Sequence, residues 1–351
     1  MTTNTTTTLS TITELPAQSG TPAQHVEAFT FGEAEPMDRS AWYDYRECWI
    51  AGDYYEYPIQ PAILAKLQIS SPHHASAINL KLNMIRRLQQ PTTELSRQTF
   101  SSWALDYLIF GNAYLDSLYS RTGRLLKLQH ALAMYMRRGV KLDQYYMVRQ
   151  WMNRHEFTPG AVHHLIDPDI KQEIYGTPQY LAAMASIMLN NSATMFRRRY
   201  YDNGSHAGYI MYVNDAQLEQ TDVDALRASL KNAKGPGNFR NLFLYSPNGK
   251  KDGVQIIPIS EVAAKDDFNA IKSTSRDDIL AAHRVPPQLL GMVPQNSGGF
   301  GDIVAQSHVF YALEVQPIIE QMLQLNEWAG TEVLRFAPYV SPVPTPATPM
   351  K

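Results

Sequence analysis

From Pro61 the apolar positions fall three and four residues apart, in "PAILAKLQIS" (61–70) and again in "ASAINLKLNMIRRL" (75–88), and both stretches are predicted to be helices. The period then shortens. "FGNAYLDSLYSRTGRLLKLQHA" (110–131) holds two runs rich in Tyr and Leu around Arg121-Thr122-Gly123, the pattern of a hairpin and its turn. "YYMVRQWMNRHEFTPGAVHHLI" (145–166) reads as further strand and turn. These mixed periods make residues 29–177 an α+β block.

From Pro178 helical spacing returns. Leu181, Met184, Met188 and Met195 recur on one face, beside Ala182, Ala183, Ala185 and Ser186, whose small side chains let a neighbouring helix come close. Arg197, Arg198 and Arg199 fall near the predicted end of this helix, where cations favour the dipole, and Asn203-Gly204 stops it. Residues 205–260 then read as a compact α+β insert: strand "AGYIMYV", helix "QTDVDALRASLKNAK", and strands "NLFLYS" and "GVQIIPI" joined by the turn "PNGKKDG".

A polar helix over 261–284 follows, with a thin apolar set (Val262, Phe268, Ile271, Ile279, Leu280). Its charges nearly cancel: Lys265, Lys272, Arg276 and Arg284 stand against Glu261, Asp266, Asp267, Asp277 and Asp278. Residues 285–301 are an uncharged connector broken by prolines and glycines. Asp302 is placed to cap a last long helix, over 302–330, with Pro317 as its expected kink. The threonine-rich arm, residues 1–28, and the proline-rich end within 331–351 have the composition of disordered tails.

Composition then excludes several classes. The 351 residues carry 31 Lys+Arg and 33 Asp+Glu, a formal net charge of -2, which argues against a protein that grips nucleic acid through massed phosphate contacts. One cysteine, Cys48, rules out an internal disulfide framework, and its aromatic setting reads as core rather than nucleophile. No secretory signal and no apolar run of membrane-spanning length is present, so a soluble intracellular product is expected. There is no phosphate-binding Gly-x-x-x-x-Gly-Lys-Ser/Thr loop and no Gly-x-Ser-x-Gly elbow. His73-His74 and His163-His164 are adjacent pairs whose side chains diverge, so neither makes one metal-ligand set. The acidic pairs Asp266-Asp267 and Asp277-Asp278 lie too far apart for two-metal chemistry. No catalytic residue, metal site or cofactor is expected. A nucleic-acid-processing enzyme, or another capsid or tail structural protein, stands as the alternative reading.

Several stretches together resemble the tailed-bacteriophage portal proteins, in their P2-like (PBSX-type) branch: "FTFGEAEPM" (29–37), "GDYYEYP" (52–58), "LAKL" (64–67), "SPHHASAINLKLN" (71–83), "FGNAYLD" (110–116), "HRVPPQLLG" (283–291), "VQPIIEQMLQLNEW" (315–328) and "RFAPY" (335–339). The resemblance implies a ring, usually of twelve subunits, at one capsid vertex of the virion, assembled in the host cytoplasm and threaded by double-stranded DNA during packaging and ejection. It implies a wing (29–177 with 302–330), a first stem helix (178–204), a clip (205–260), a second stem helix (261–284), a tunnel loop (285–301) and a short crown with the tail (331–351). Terminase, major capsid and scaffold proteins, and head-completion or neck proteins are the implied partners, with no membrane. On that map Gln295, Asn296, Ser297, Gly298, Gly299 and Phe300 are the expected DNA-facing loop residues. Lys265, Lys272, Arg276 and Asp277 are candidates for channel-wall or intersubunit charges, and Arg197, Arg198 and Arg199 for phosphate contact near the clip.

Overall fold

The structure, a computed structural model, describes residues 48–149, 154–202, 209–213, 254–258, 264–292 and 302–340. It is mixed α+β. Helix α1 (Pro61–Gln68) and helix α2 (Pro72–Leu88) both begin on a proline, whose missing N–H costs nothing in a first helical turn. Along α2, Ala77, Ile78, Leu82, Ile85 and Leu88 are buried, and Arg86 and Arg87 close the last turn. Helix α3 (Arg97–Phe110) was not singled out by its pattern. Ser96 caps it, accepting from the Thr99 amide at 3.2 Å, and Gly111 ends it in the left-handed conformation at φ 65°.

The hairpin forms as its pattern predicts, from β1 (Asn112–Tyr119) and β2 (Leu125–Ala131), with Gly123 at φ 80° in the turn. A third strand, β3 (Val162–Ile166), pairs with the other edge of β1, so the antiparallel order is β2-β1-β3. A second small sheet is built from Met136–Arg138, Tyr145–Val148 and Arg154–Glu156. Helices α2 and α3 and the β2-β1-β3 sheet share one core containing Ile85, Phe100, Trp103, Leu115, Leu128 and Leu165.

The last helical stretch returns to this core. Asp302 caps it as expected, accepting from the Ala305 amide at 2.9 Å. The helix is not one rod, and its irregularity falls in the turn before Pro317. It runs as α over Ile303–Phe310, as a π-turn over Tyr311–Val315, and as α again over Gln316–Met322 and Gln324–Ala329. Pro317 sits just after the π segment, and its ring crowds the carbonyl four residues before it, at Leu313 inside that segment. Ile318, Ile319, Met322 and Leu325 fill the core, and Arg335–Phe336 pairs with Gln89–Gln90.

Close backbone approach fixes the exit from the block. A Cβ on Gly111 would lie 2.4 Å from the carbonyl carbon of Thr177, so only glycine fits there. Asn112 stitches the same point: its amide donates to the carbonyls of Phe110 (2.9 Å) and Gly176 (2.7 Å), and its oxygen accepts from the Gly176 N–H (2.8 Å). The chain thus leaves at Pro178 from a rigid base.

Candidate functional site

A 3-10 turn, Gln179–Ala183, leads into helix α4 (Met184–Asp202). Helix α5 (Ala264–Ala282) packs along it. Between them in sequence, the strands Tyr209–Val213 and Val254–Pro258 pair antiparallel, from Tyr209↔Pro258 to Val213↔Val254. These match two of the three strands predicted for the insert; its predicted helix and third strand lie outside the described residues.

The seam between the helices is part apolar (Ile187, Ala193, Ile279) and part hydrogen-bonded. Buried Asn190 donates to Ser275 Oγ at 2.9 Å and accepts from Ser71 Oγ at 3.2 Å. Ser71 precedes α2, so one amide ties three helices together. Ser186 Oγ donates to Asp278 at 3.0 Å across the same seam. Truncating Asn190 to alanine strands two buried hydroxyls, and urea denaturation is expected to show a loss of about 1–3 kcal/mol. A loss below a few tenths would mean that Ser71 and Ser275 re-pair.

The sequence-derived candidates divide around this pair. Arg197 and Arg198 are exposed on α4, and the helix continues past Arg199 to Asp202, so the three arginines stand in the last two turns. Lys265 lies in the first turn of α5. Arg276 bonds its neighbour Asp277 at 2.8 Å, on the surface. Lys272 is half-buried, and its ammonium is held below the usual lysine range by burial and then by the nearby Arg197. Lys272 and Arg197 therefore form a cation–cation neighbourhood within one subunit. The residues Gln295 to Phe300 lie outside the described residues. Asp277 and Asp278 engage different partners, and among the described residues no group of three metal-ligating side chains forms. Cys48 has its thiol pushed up to about 11, chiefly by burial and then by Asp169, which makes it a poor nucleophile.

Beneath the helix pair lies a polar junction that the sequence reading did not find. Helix α5 ends in a Schellman turn: the Val285 N–H donates to the Leu280 carbonyl (3.0 Å) and the Arg284 N–H to the Ala281 carbonyl (3.0 Å). Arg284 takes the left-handed position usually given to glycine, at φ 54°. Its guanidinium donates to Glu314 Oε2 at 2.8 Å and to Gln179 Oε1 at 3.1 Å. The other carboxylate oxygen of Glu314 meets Lys81 Nζ at 2.5 Å, and both of these side chains are only 4% exposed. Asp167 shares the cavity that Lys81, Gln179 and His283 line; burial raises its carboxyl to about 6, against the pull of Gln179, Lys81 and Arg284. Beside it His74 Nδ1 and His283 Nε2 are 2.8 Å apart, with the Tyr180 ring against both. Burial lowers these imidazoles to about 4 and about 2, so both are neutral and one donates to the other. One signal of this junction was available: Lys81 falls on the apolar face of α2, between Ile78 and Ile85.

A family model described as phage portal protein matches residues 78–336. The chain belongs to the phage portal protein family. Two portal relatives make the match specific. The chain is 49% identical over 315 residues to the probable portal protein of Escherichia phage P2, covering 90% of this chain and 92% of that one. It is 32% identical over 270 residues to the probable portal protein of Haemophilus phage HP1, covering 75% and 78%. The fold is also that of solved portal-type structures. The neck of a native gene transfer agent particle, computed with C12 symmetry, aligns at a TM-score of 0.56 with 18% identity, over 81% of this chain and 86% of that one. An HK97 family phage portal protein from Corynebacterium diphtheriae aligns at 0.56 with 14% identity, over 78% and 93%. This portal protein is thus a virion component, a head–tail connector at the capsid vertex, and a structural protein rather than an enzyme.

Proposed function

We propose that this portal protein works as a closed ring of about twelve copies, the symmetry in which the gene transfer agent neck was computed, through which double-stranded DNA is packaged and ejected. The helix pair carries this reading. Two helices lie side by side against an α+β block, with a pair of strands between them in sequence, which supports α4 and α5 as the stem helices. On this reading the block over 29–177 with 302–330 is the wing, 205–260 the clip, 285–301 the tunnel loop and 331–351 the crown and tail.

The charge pattern supports the same reading. Within the subunit Lys272 lies near Arg197, and this like-charge neighbourhood on the helix pair supports a place where a counter-charge from another copy or from DNA is favourable. Lys265, Lys272, Arg276 and Asp277 are assigned to the channel wall or the contact between copies, and Arg197, Arg198 and Arg199 to phosphates near the clip. Gln295 to Phe300 are assigned to the DNA-facing loop, where uncharged residues touch a sliding polyanion without holding it. Terminase, capsid and scaffold proteins, and neck proteins are its partners. Native mass measurement and electron micrographs of the purified protein are expected to show closed rings near twelvefold. A monomer or dimer at every salt concentration would overturn the ring.

A further inference from the structure

The last helical stretch has two unlike halves. Its C-terminal half is deep, with Ile318, Ile319 and Met322 in the core. Its N-terminal half, Ile303–Phe310, buries only Phe310, and Val309 and, in the turn that follows, Leu313 are 57% and 72% exposed. The halves meet in the π-turn Tyr311–Val315, where the Gln316 N–H reaches back five residues to the Tyr311 carbonyl. Such a turn takes up one more residue than an α-helix in nearly the same length. It therefore rotates everything before it by about 100° relative to a continuous helix.

That rotation decides which aromatic ring faces the core. In the π form Phe310 is 3% exposed, while Tyr311 is half-buried and stacks on Tyr339 at 4.2 Å. A continuous α-helix traced back from Val315 would turn Tyr311 and His308 inward instead. Phe310 and Tyr311 are adjacent, so either register offers an aromatic ring to the core. The π form has one more fixture. Glu314, inside the turn, has one oxygen on Lys81 of α2 and the other on Arg284, in the cap of α5.

We propose that Tyr311–Val315 is a two-register hinge, held in its π form by Lys81 and Arg284 on Glu314, which sets the rotation of Ile303–Phe310 against the buried half of the helix. The grip couples that rotation to α5, because Arg284 is carried by the left-handed cap of that helix and moves with it. A shift of α5 draws Arg284 from the carboxylate and leaves Lys81 alone to hold the turn, which weakens the preference for the π register.

Amide hydrogen exchange on the assembled full-length protein, followed over peptides from 303 to 329, tests this. Lys81→Met with Glu314→Gln removes the grip without leaving a buried ion alone. Exchange over 303–315 is expected to rise about tenfold, with 318–329 unchanged. Deleting the exposed Ala312 together with Pro317→Ala removes the extra residue and the ring that would clash with the carbonyl of Leu313, and makes a continuous α-helix with Phe310 still inward. That variant is expected to exchange more slowly than wild type over 311–316 and to lose its response to the paired substitution. Unchanged exchange in the paired variant would overturn the grip. A deletion variant that unfolds, or exchanges faster than wild type, would overturn the hinge and make the π-turn a fixed element of the fold.

Discussion

Glu314→Ala lowers the stability of the protein by about 3–5 kcal/mol, because it leaves the buried Lys81 ammonium without its counter-charge. Burial already holds Lys81 below the usual lysine range, with Glu314 as the main group opposing that shift. The Arg284 side chain is 60% exposed and reaches water when the carboxylate is gone, so the loss comes from Lys81 and not from the arginine. Lys81→Met in the same chain is therefore expected to recover most of the loss, since a buried ion pair is replaced more cheaply than it is broken. Urea denaturation of the single and double variants measures both effects. A single variant within about 1 kcal/mol of wild type would show that the lysine reaches solvent.

Acidification from pH 6.5 towards 4 is expected to destabilise the fold steeply. His74, His163, His164 and His283 are all lowered from the usual histidine range, with burial as the first cause. Ring nitrogens of three of them (His74 Nε2, His163 Nδ1, His164 Nδ1) have no acceptor to receive an added proton. The unfolded chain takes up protons below about 6.5 that the folded chain refuses, so stability falls as pH falls through that window. For His74 and His163, each lowered to about 4, the loss is on the order of 3 kcal/mol apiece. Asp167 acts in the opposite sense: its folded carboxyl is raised to about 6, and its penalty at neutral pH is relieved on acidification. Asp116, also raised by burial, acts in the same sense as Asp167, but two carboxyls do not offset four imidazoles. Thermal melts at successive pH values check the slope, and His163→Phe should flatten it. A profile level between pH 7 and 4 would contradict the burial of these rings.

What was legible in the sequence is what is local. The hairpin follows from alternation and a glycine turn, and the Asp302 cap from one side chain beside a periodic run. Helix α3 was hidden because it is buried on most sides: Phe100, Trp103, Asp106, Tyr107 and Ile109 leave no clean apolar stripe to count. The π-turn falls one turn before Pro317, a local signal that marks an irregularity without giving its form, and the distant partners that Phe310 and Glu314 meet there are beyond what periodicity registers. The junction draws on residues far apart in the chain, with Lys81 and Glu314 separated by 233 positions. Two of the stretches that carry the family resemblance nonetheless meet there: "SPHHASAINLKLN" supplies His74 and Lys81, and "HRVPPQLLG" supplies His283 and Arg284.

The bonds of Asn190 have a mechanical consequence. An oily seam slips lengthwise at little cost, since any apolar neighbour replaces another. Here an axial slide of α4 past α5 would pull a buried amide out of register with both hydroxyls it serves. The two helices are therefore pinned against shear at one height, and a push along their length is carried by the pair as by a single strut.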